Sequence, residues 1–334
     1  MPKIAYRDSN FRASTLKVIQ QANEIAGLYG RQGFTLTLRQ LYYQFVARDL
    51  IPNKQTEYKR LGSIINDARY AGMFDWNWLT DRTRNATGGD SGYTPGHPEE
   101  VIDPAYYHVT QWEGQPQRVE VWVEKDALVD VIQQGARGLR AITFSCRGYT
   151  SASEIWTAAQ RIEGSLQAPG VEHVTILHLG DHDPSGIDMT RDITDRLSEF
   201  IQYDIGAMMG ESWDFHIKRI ALNMDQIEQY NPPPNPAKDT DSRFQGYADQ
   251  YGDESWELDA LEPNVLVNLI RSNIRPLIDD EKWAERAKIT AEGQATLQAV
   301  RDNYEDIIAD LRDRDLLPEA EVEELEDETD GDDA

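Results

Sequence analysis

Apolar positions along the chain follow two periods, and the change between them divides it. Over the first eighty residues the spacing is helical. Residues 9–29 carry Leu16, Ile19, Ile25 and Leu28 on one side, and Gly30 and Gly33 close the segment. Thr37 and Gln40 have capping-box spacing, and Leu38, Leu41, Tyr42, Phe45 and Asp49 then follow one helical stripe. A third helix is predicted over 56–71, with Tyr58, Leu61, Ile64, Ile65 and Ala68 inward and Gly72 at its C-cap. A Trp-rich stretch, 74–78, and a Gly/Pro-rich loop, 88–97, complete this part.

After residue 117 apolar runs alternate with helical patterns, which calls for a parallel sheet with crossover helices. The strands are predicted at 118–124, 141–145, 174–180 and 216–222, with helices near 126–135, 151–165 and 184–202. Ser151 and Glu154 repeat the capping-box spacing. A Pro-rich connection covers 231–236, a helix opens at Glu262-Pro263, and a last helix over 281–314 places Leu297, Val300, Tyr304, Ile307 and Leu311 at a/d-like intervals. That stripe implies packing on its own domain, with a dimer seam as the alternative. Three short helices and a possible β-wing describe a winged helix-turn-helix. The expected organisation is therefore α/β: a winged-helix domain at 1–90, a linker at 91–117, a parallel-sheet domain at 118–280, a C-terminal helix at 281–316 and an acidic disordered tail at 317–334.

Composition sharpens this reading. The 334 residues are 40% hydrophobic, and no apolar run is long enough to span a bilayer. The start lacks the apolar core of a secretory signal, and Cys146 is the only cysteine, so a reducing cytoplasmic location without disulfides is expected. Net charge is −26, which argues against a polyanionic partner until its distribution is considered. Residues 1–90 hold 13 Lys/Arg against 8 Asp/Glu, whereas 317–334 hold 10 acids and no base. The basic end is the one with the DNA-binding pattern.

Two strand ends carry the strongest chemical signal. One strand ends at Glu124, and another runs into Gly180-Asp181-His182-Asp183-Pro184-Ser185-Gly186. Ligands bind at the carboxyl edge of parallel sheets. Glu124, Asp181 and Asp183 converging there would form a hard oxygen site for Mg²⁺ or Mn²⁺. Asp183 before Pro184 also reads as a helix N-cap, which leaves Asp181 and Glu124 unexplained. His182 points to the other side by alternation and is expected to be packed rather than ligating, and Cys146 is expected to be a small core residue.

The second signal is Arg39-Gln40-Leu41-Tyr42-Tyr43. Helical geometry puts Tyr42 on the buried stripe and Tyr43 outward, one turn from Arg39. A phenol so presented could attack a phosphodiester while Arg39 steadies the transition-state charge. From the helix alone, an ordinary surface tyrosine touching a phosphate is the better reading.

Taken together, these motifs resemble the A subunit of DNA topoisomerase VI and its meiotic double-strand-break relatives, over roughly residues 35–280. That family joins an Arg-x-x-Tyr-Tyr helix in a winged-helix domain to a Toprim sheet with Glu after one strand and Gly-Asp-x-Asp-Pro-x-Gly after another. The chain also resembles short Toprim proteins of bacteriophages and mobile elements, which share stretches like Trp256-Glu257-Leu258-Asp259-Ala260-Leu261. The resemblance implies Tyr43 as nucleophile, Glu124, Asp181 and Asp183 as Mg²⁺ ligands, double-stranded DNA as substrate, and a homodimer in which each tyrosine meets the other copy's metal site. It also implies an ATPase B subunit as partner, although 42 residues precede Tyr43 where family A subunits carry the longer segment that engages it. No Gly-x-x-x-x-Gly-Lys-Ser/Thr phosphate loop occurs. Two other functions stay open: a metal-dependent Toprim nuclease or nickase that uses water, and a non-catalytic DNA-binding accessory protein.

Overall fold

The computed structural model describes residue 3 and residues 5–79, 97–209 and 214–317. The expected wing, the Gly/Pro-rich loop except His97, and the acidic tail except Leu317 lie outside the described residues. Three helices come first: α1 (Ala13–Arg31), α2 (Leu38–Ala47) and α3 (Gln55–Tyr70). The capping box that opens α2 is formed, with Thr37 Oγ1 accepting from the Gln40 amide and Gln40 Oε1 accepting from the Thr37 amide.

The second part alternates as the pattern requires: β1 (Gln117–Val123), α4 (Val129–Ala136), β2 (Ile142–Ser145), α5 (Ala152–Leu166), β3 (His173–Leu179), α6 (Pro184–Met209) and β4 (Asp214–Ala221). The strands lie in the order β2-β1-β3-β4, every pair parallel. Then follow α7 (Met224–Tyr230), β5 (Asn235–Pro236), α8 (Phe244–Tyr251), β6 (Glu254–Ser255) and α9 (Pro263–Ile274), with β5 and β6 pairing as a small antiparallel ladder. α4 and α9 pack together on one side of the sheet and α5 and α6 on the other.

Strand alternation divides the core accordingly. Val119, Val121, Val123, Leu177 and Leu179 face one core with residues of α4 and α9, while Trp122, Val174 and Ile176 face the other with residues of α5 and α6. The first core is continuous with the buried faces of α1, α2 and α3, through Ile25, Leu41, Phe45 and Leu61. Burial of each such aliphatic side chain stabilises by about 1.5–3 kcal/mol, so the helical part and the sheet hold each other in register.

Among the described residues the chain divides into two compact units, one within 1–87 and 111–283, the other within 88–110 and 284–334. The second contains most of α10 (Asp280–Asp302), α11 (Tyr304–Asp313) and the segment from His97. There Gln294 Nε2 donates to the Tyr107 carbonyl at 3.0 Å. The single helix predicted over 281–314 is broken at Asn303, whose backbone leaves helical geometry (φ −111°, ψ 19°) while its side chain donates to the Ala299 carbonyl. No residue of α10 or α11 is fully buried; Leu297, Val300, Tyr304 and Leu311 of the predicted stripe are half-buried and Ile307 is exposed. No helix among the described residues is long and apolar enough to cross a membrane.

Candidate active site at the carboxyl edge of the sheet

The strand ends are tied together before any side chain contributes. Glu124 N–H donates to the Leu179 carbonyl at 2.9 Å, Gly180 N–H to Ala221 at 2.9 Å, and Leu222 N–H to Gly180 at 2.8 Å. Arg219, reaching over from β4, donates to the carbonyls of Gly180 (3.0 Å) and Gly186 (2.9 Å) and to Thr190 Oγ1 (3.0 Å). Close approach requires a glycine at Gly186 and leaves little room at Gly180. A Cβ on Gly180 would stand 3.0 Å from Glu124 Oε2, and one on Gly186 would overlap the Asp181 carbonyl oxygen.

Each predicted acid is at this edge, but the three have different duties. Glu124 Oε2 accepts the Asp181 amide at 2.9 Å. Asp183 caps α6: its Oδ1 accepts from the Gly186 amide at 2.6 Å and from Ser185 Oγ at 2.8 Å. Asp181 is 6% exposed and accepts the Leu258 amide on Oδ1 at 2.7 Å. His182 exchanges both backbone hydrogen bonds with Trp256, at 2.8 and 2.9 Å, and this bridge draws residues 256–260 alongside the β3 loop. Its ring is packed as expected, with Nδ1 2.8 Å from Tyr247 Oη and Tyr251 and Trp256 around it. Cys146 is buried and free, and burial pushes its thiol up to about 12.

The Trp256 bridge brings in two acids to which sequence reasoning gave no role. Among the described residues, the acidic group whose ligand atoms all lie within 4.8 Å of one another is Asp181, Glu257 and Asp259. Glu124 and Asp183 fall outside that group, which shares only Asp181 with the predicted trio. Glu257 and Asp259 reach Asp181 because the His182–Trp256 bridge and the Leu258 amide on Asp181 Oδ1 hold the turn at 257–259 against it. Such a carboxylate set suits a hard divalent ion, and Asp259 Oδ2, buried and without a hydrogen-bond partner, is an open donor position. The cluster could hold a metal ion.

Two cations of the protein serve these acids. Lys125 Nζ contacts Asp181 Oδ2 at 2.8 Å, Asp259 Oδ1 at 3.2 Å and Glu257 Oε2. From α2, Arg39 Nη2 donates to Glu257 Oε1 at 2.7 Å, and its Nε lies 3.6 Å from Asp259 Oδ2. Electrostatics follow this placement. Burial, together with the neighbouring acids, holds Asp181 well above the usual carboxylate range against the pull of Lys125. Burial raises Glu124 too, helped by the charge of Asp183. Burial works against the Lys125 ammonium, but Asp259, Asp181 and Glu257 outweigh it and raise its pKa. For Glu257 the burial penalty is outweighed by Lys125 and Arg39, and its carboxyl lies below its ordinary value.

Tyr43 departs from expectation. The helical period places it outward, yet it is 3% exposed. The outer side of α2 is covered by the turn at Leu258–Ala260, and Asn235 Nδ2 donates to the Tyr43 hydroxyl at 3.4 Å. Arg39 stays half-exposed, 5.9 Å from the centre of the Tyr43 ring. Tyr42 packs as expected, its hydroxyl donating to Asn53 Oδ1 at 2.9 Å. A cleft of about 280 Å³ opens here, lined by Arg39, Tyr43, Tyr58, Asn235 and Glu257 among others. Burial first, then the charges of Glu257 and Asp259, raise the Tyr43 phenol above its ordinary pKa, while Arg39 and Asn235 oppose them. Arg39 and Tyr43 thus stand beside acids of their own chain.

The signal for Glu257 and Asp259 was present in the Trp256–Leu261 stretch, where two acids sit two residues apart. That for Lys125 was its position directly after Glu124. No protein-family model matches the chain, and no curated protein matches it.

Proposed function

We propose that the protein cleaves double-stranded DNA by tyrosyl transesterification, in the manner of the A subunit of type IIB topoisomerases, with its helical part as a winged helix-turn-helix and its sheet as a Toprim domain. The observation that carries this reading is that Arg39 and Tyr43 share a cleft with Glu257, while Arg39 also approaches Asp259 of the same acid group. A phosphate-binding arginine, a phenol and hard-oxygen ligands side by side are what phosphoryl transfer to a tyrosine requires.

Asp181, Glu257 and Asp259 would hold Mg²⁺ or Mn²⁺, which when bound supplies positive charge against the phosphate. Asn235 orients the Tyr43 hydroxyl, and Arg39 favours its anionic form. Tyr43 Oη forms a bond to phosphorus as the bond from phosphorus to the 3′ oxygen breaks. The phenol proton passes to solvent, and the 3′ oxygen leaves as a hydroxyl after taking a proton from water. A 5′-phosphotyrosyl link results, and two copies of the chain cut both strands.

One observation favours a second reading, a metal-dependent nuclease using water: the phenol of Tyr43 is both buried and raised in pKa. Supercoiled plasmid incubated with the protein and Mg²⁺, with and without protease before electrophoresis, separates the two. Protein-linked linear DNA that disappears in Tyr43→Phe supports transesterification. Free nicked or linear DNA that survives Tyr43→Phe and is lost in Asp181→Asn supports the nuclease. Intact plasmid in Mg²⁺ and Mn²⁺ buffers contradicts both and leaves a DNA-binding accessory role.

A further inference from the structure

We infer that Lys125 is an internal cation that occupies the acid group in place of a divalent ion and must withdraw for the ion to enter; this rests on the metal reading of Asp181, Glu257 and Asp259. The ammonium contacts all three acids. Its stem starts at the end of β1, directly after Glu124, so the backbone anchors it at the rim. Arg39 is not placed to do the same. It reaches Glu257 and Asp259 from outside and stays half-exposed.

An ammonium and a dication repel strongly at separations of a few ångströms in a partly buried site, so they cannot share these oxygens. The group is therefore either partly neutralised by Lys125 or loaded with metal and vacated by Lys125. A route out exists, because the Lys125 side chain remains 19% exposed and is a flexible chain of methylenes. Asp259 Oδ2, buried with no hydrogen bond and only the 3.6 Å approach of Arg39, marks the donor the ammonium leaves unused. On this view Lys125 lowers the affinity for metal and keeps the group from holding unopposed negative charge before substrate and ion arrive. Its withdrawal then presents an ammonium at the rim.

The test uses the full chain and Mn²⁺ alone, with free Mn²⁺ followed by electron paramagnetic resonance and Asp181→Asn as the control for binding elsewhere on an acidic protein. Lys125→Met, which keeps the length of the stem and removes the charge, should bind Mn²⁺ at the Asp181-dependent site about ten-fold or more tightly than the unaltered chain. Equal or weaker binding by a folded Lys125→Met overturns the inference while leaving the metal reading intact. If neither chain binds more than Asp181→Asn does, the metal reading itself fails and the inference with it. A second measurement needs no substitution: reductive methylation of the unaltered protein, with Lys125 followed by peptide mass spectrometry. Saturating Mg²⁺ should speed labelling of Lys125 several-fold relative to the other lysines, and an unchanged rate overturns the inference.

Discussion

Arg39 and Glu257 stand 218 positions apart in the chain and meet at 2.7 Å. Their ion pair joins α2 to the turn beside the sheet edge, so the tyrosine-bearing helix and the acid group are read by the same charges. Burial raises the Tyr43 phenol, the charges of Glu257 and Asp259 add to it, and Arg39 opposes it. We expect Glu257→Gln to lower the pKa of Tyr43 and Arg39→Gln to raise it further, each followed by ¹³C-labelled tyrosine NMR with the resonance assigned through Tyr43→Phe. If both variants leave the titration where it was, Tyr43 does not feel this pair.

Glu120 on β1 is buried beneath α5, where Arg161 clamps it with two 2.8 Å hydrogen bonds and Trp122 Nε1 donates a third at 2.8 Å. Removing one partner of such a pair leaves a buried charge unopposed. Arg161→Ala should therefore cost about 3 kcal/mol in urea unfolding. Arg161→Met combined with Glu120→Gln removes both charges and keeps an acceptor for Trp122, and should recover about half of that loss. A double variant no better than the single would place the cost in packing instead.

His178 is fully buried on β3, with Nδ1 2.8 Å from Thr190 Oγ1, and burial followed by the charge of Arg219 pushes its imidazole down to about 3. An unfolded histidine protonates near 6.5. The folded state therefore binds fewer protons between those values, so the contribution of a neutral His178 is complete above about pH 6.5 and is lost as pH falls toward 3. At pH 5 the loss should be about 2 kcal/mol. His178→Gln removes this titration, so its stability deficit relative to the unaltered chain should shrink by that amount between pH 7.5 and pH 5 in urea melts. A deficit constant with pH would mean that His178 titrates alike in the folded and unfolded chain, and one that grows toward pH 5 that it is held charged in the fold.

Gly186 sits where α6 turns back over the motif, and a Cβ there would overlap the Asp181 carbonyl oxygen. We expect Gly186→Ala to displace the start of α6 and cost about 2 kcal/mol or more. Gly164→Ala, in α5 where nothing lies within 4 Å, should be neutral or slightly stabilising. Thermal unfolding of the two variants checks the contrast. Equal effects would mean that Gly186 is not held by close approach.

How far the sequence speaks can be judged residue by residue. Buried parallel strands are continuous apolar runs, so β1 and β3 were legible to within a residue or so, and the capping boxes at Thr37 and Ser151 fixed where two helices begin. The place of Asp181 at the sheet edge was legible because it follows the buried run of β3 with only Gly180 between them. Tyr43 was not. Helical period says which way a side chain points from its own helix, but not that the turn at Leu258–Ala260 covers that side. Glu257 and Asp259 were hidden for a related reason: a backbone bridge between His182 and Trp256 carries them to the site, and such pairing leaves no periodic trace. The break at Asn303 depended on one side chain competing for a backbone carbonyl, too local to interrupt an apolar stripe.

The central claim is that Tyr43 takes the phosphate. Cleavage reactions stopped with denaturant, digested with nuclease and trypsin and read by tandem mass spectrometry test it directly. We expect the peptide containing Tyr42 and Tyr43 to carry a nucleoside phosphate on Tyr43, dependent on divalent metal and absent from Asp181→Asn. DNA cut under the same conditions with Tyr43 unmodified, or with the phosphate on another residue, would contradict it.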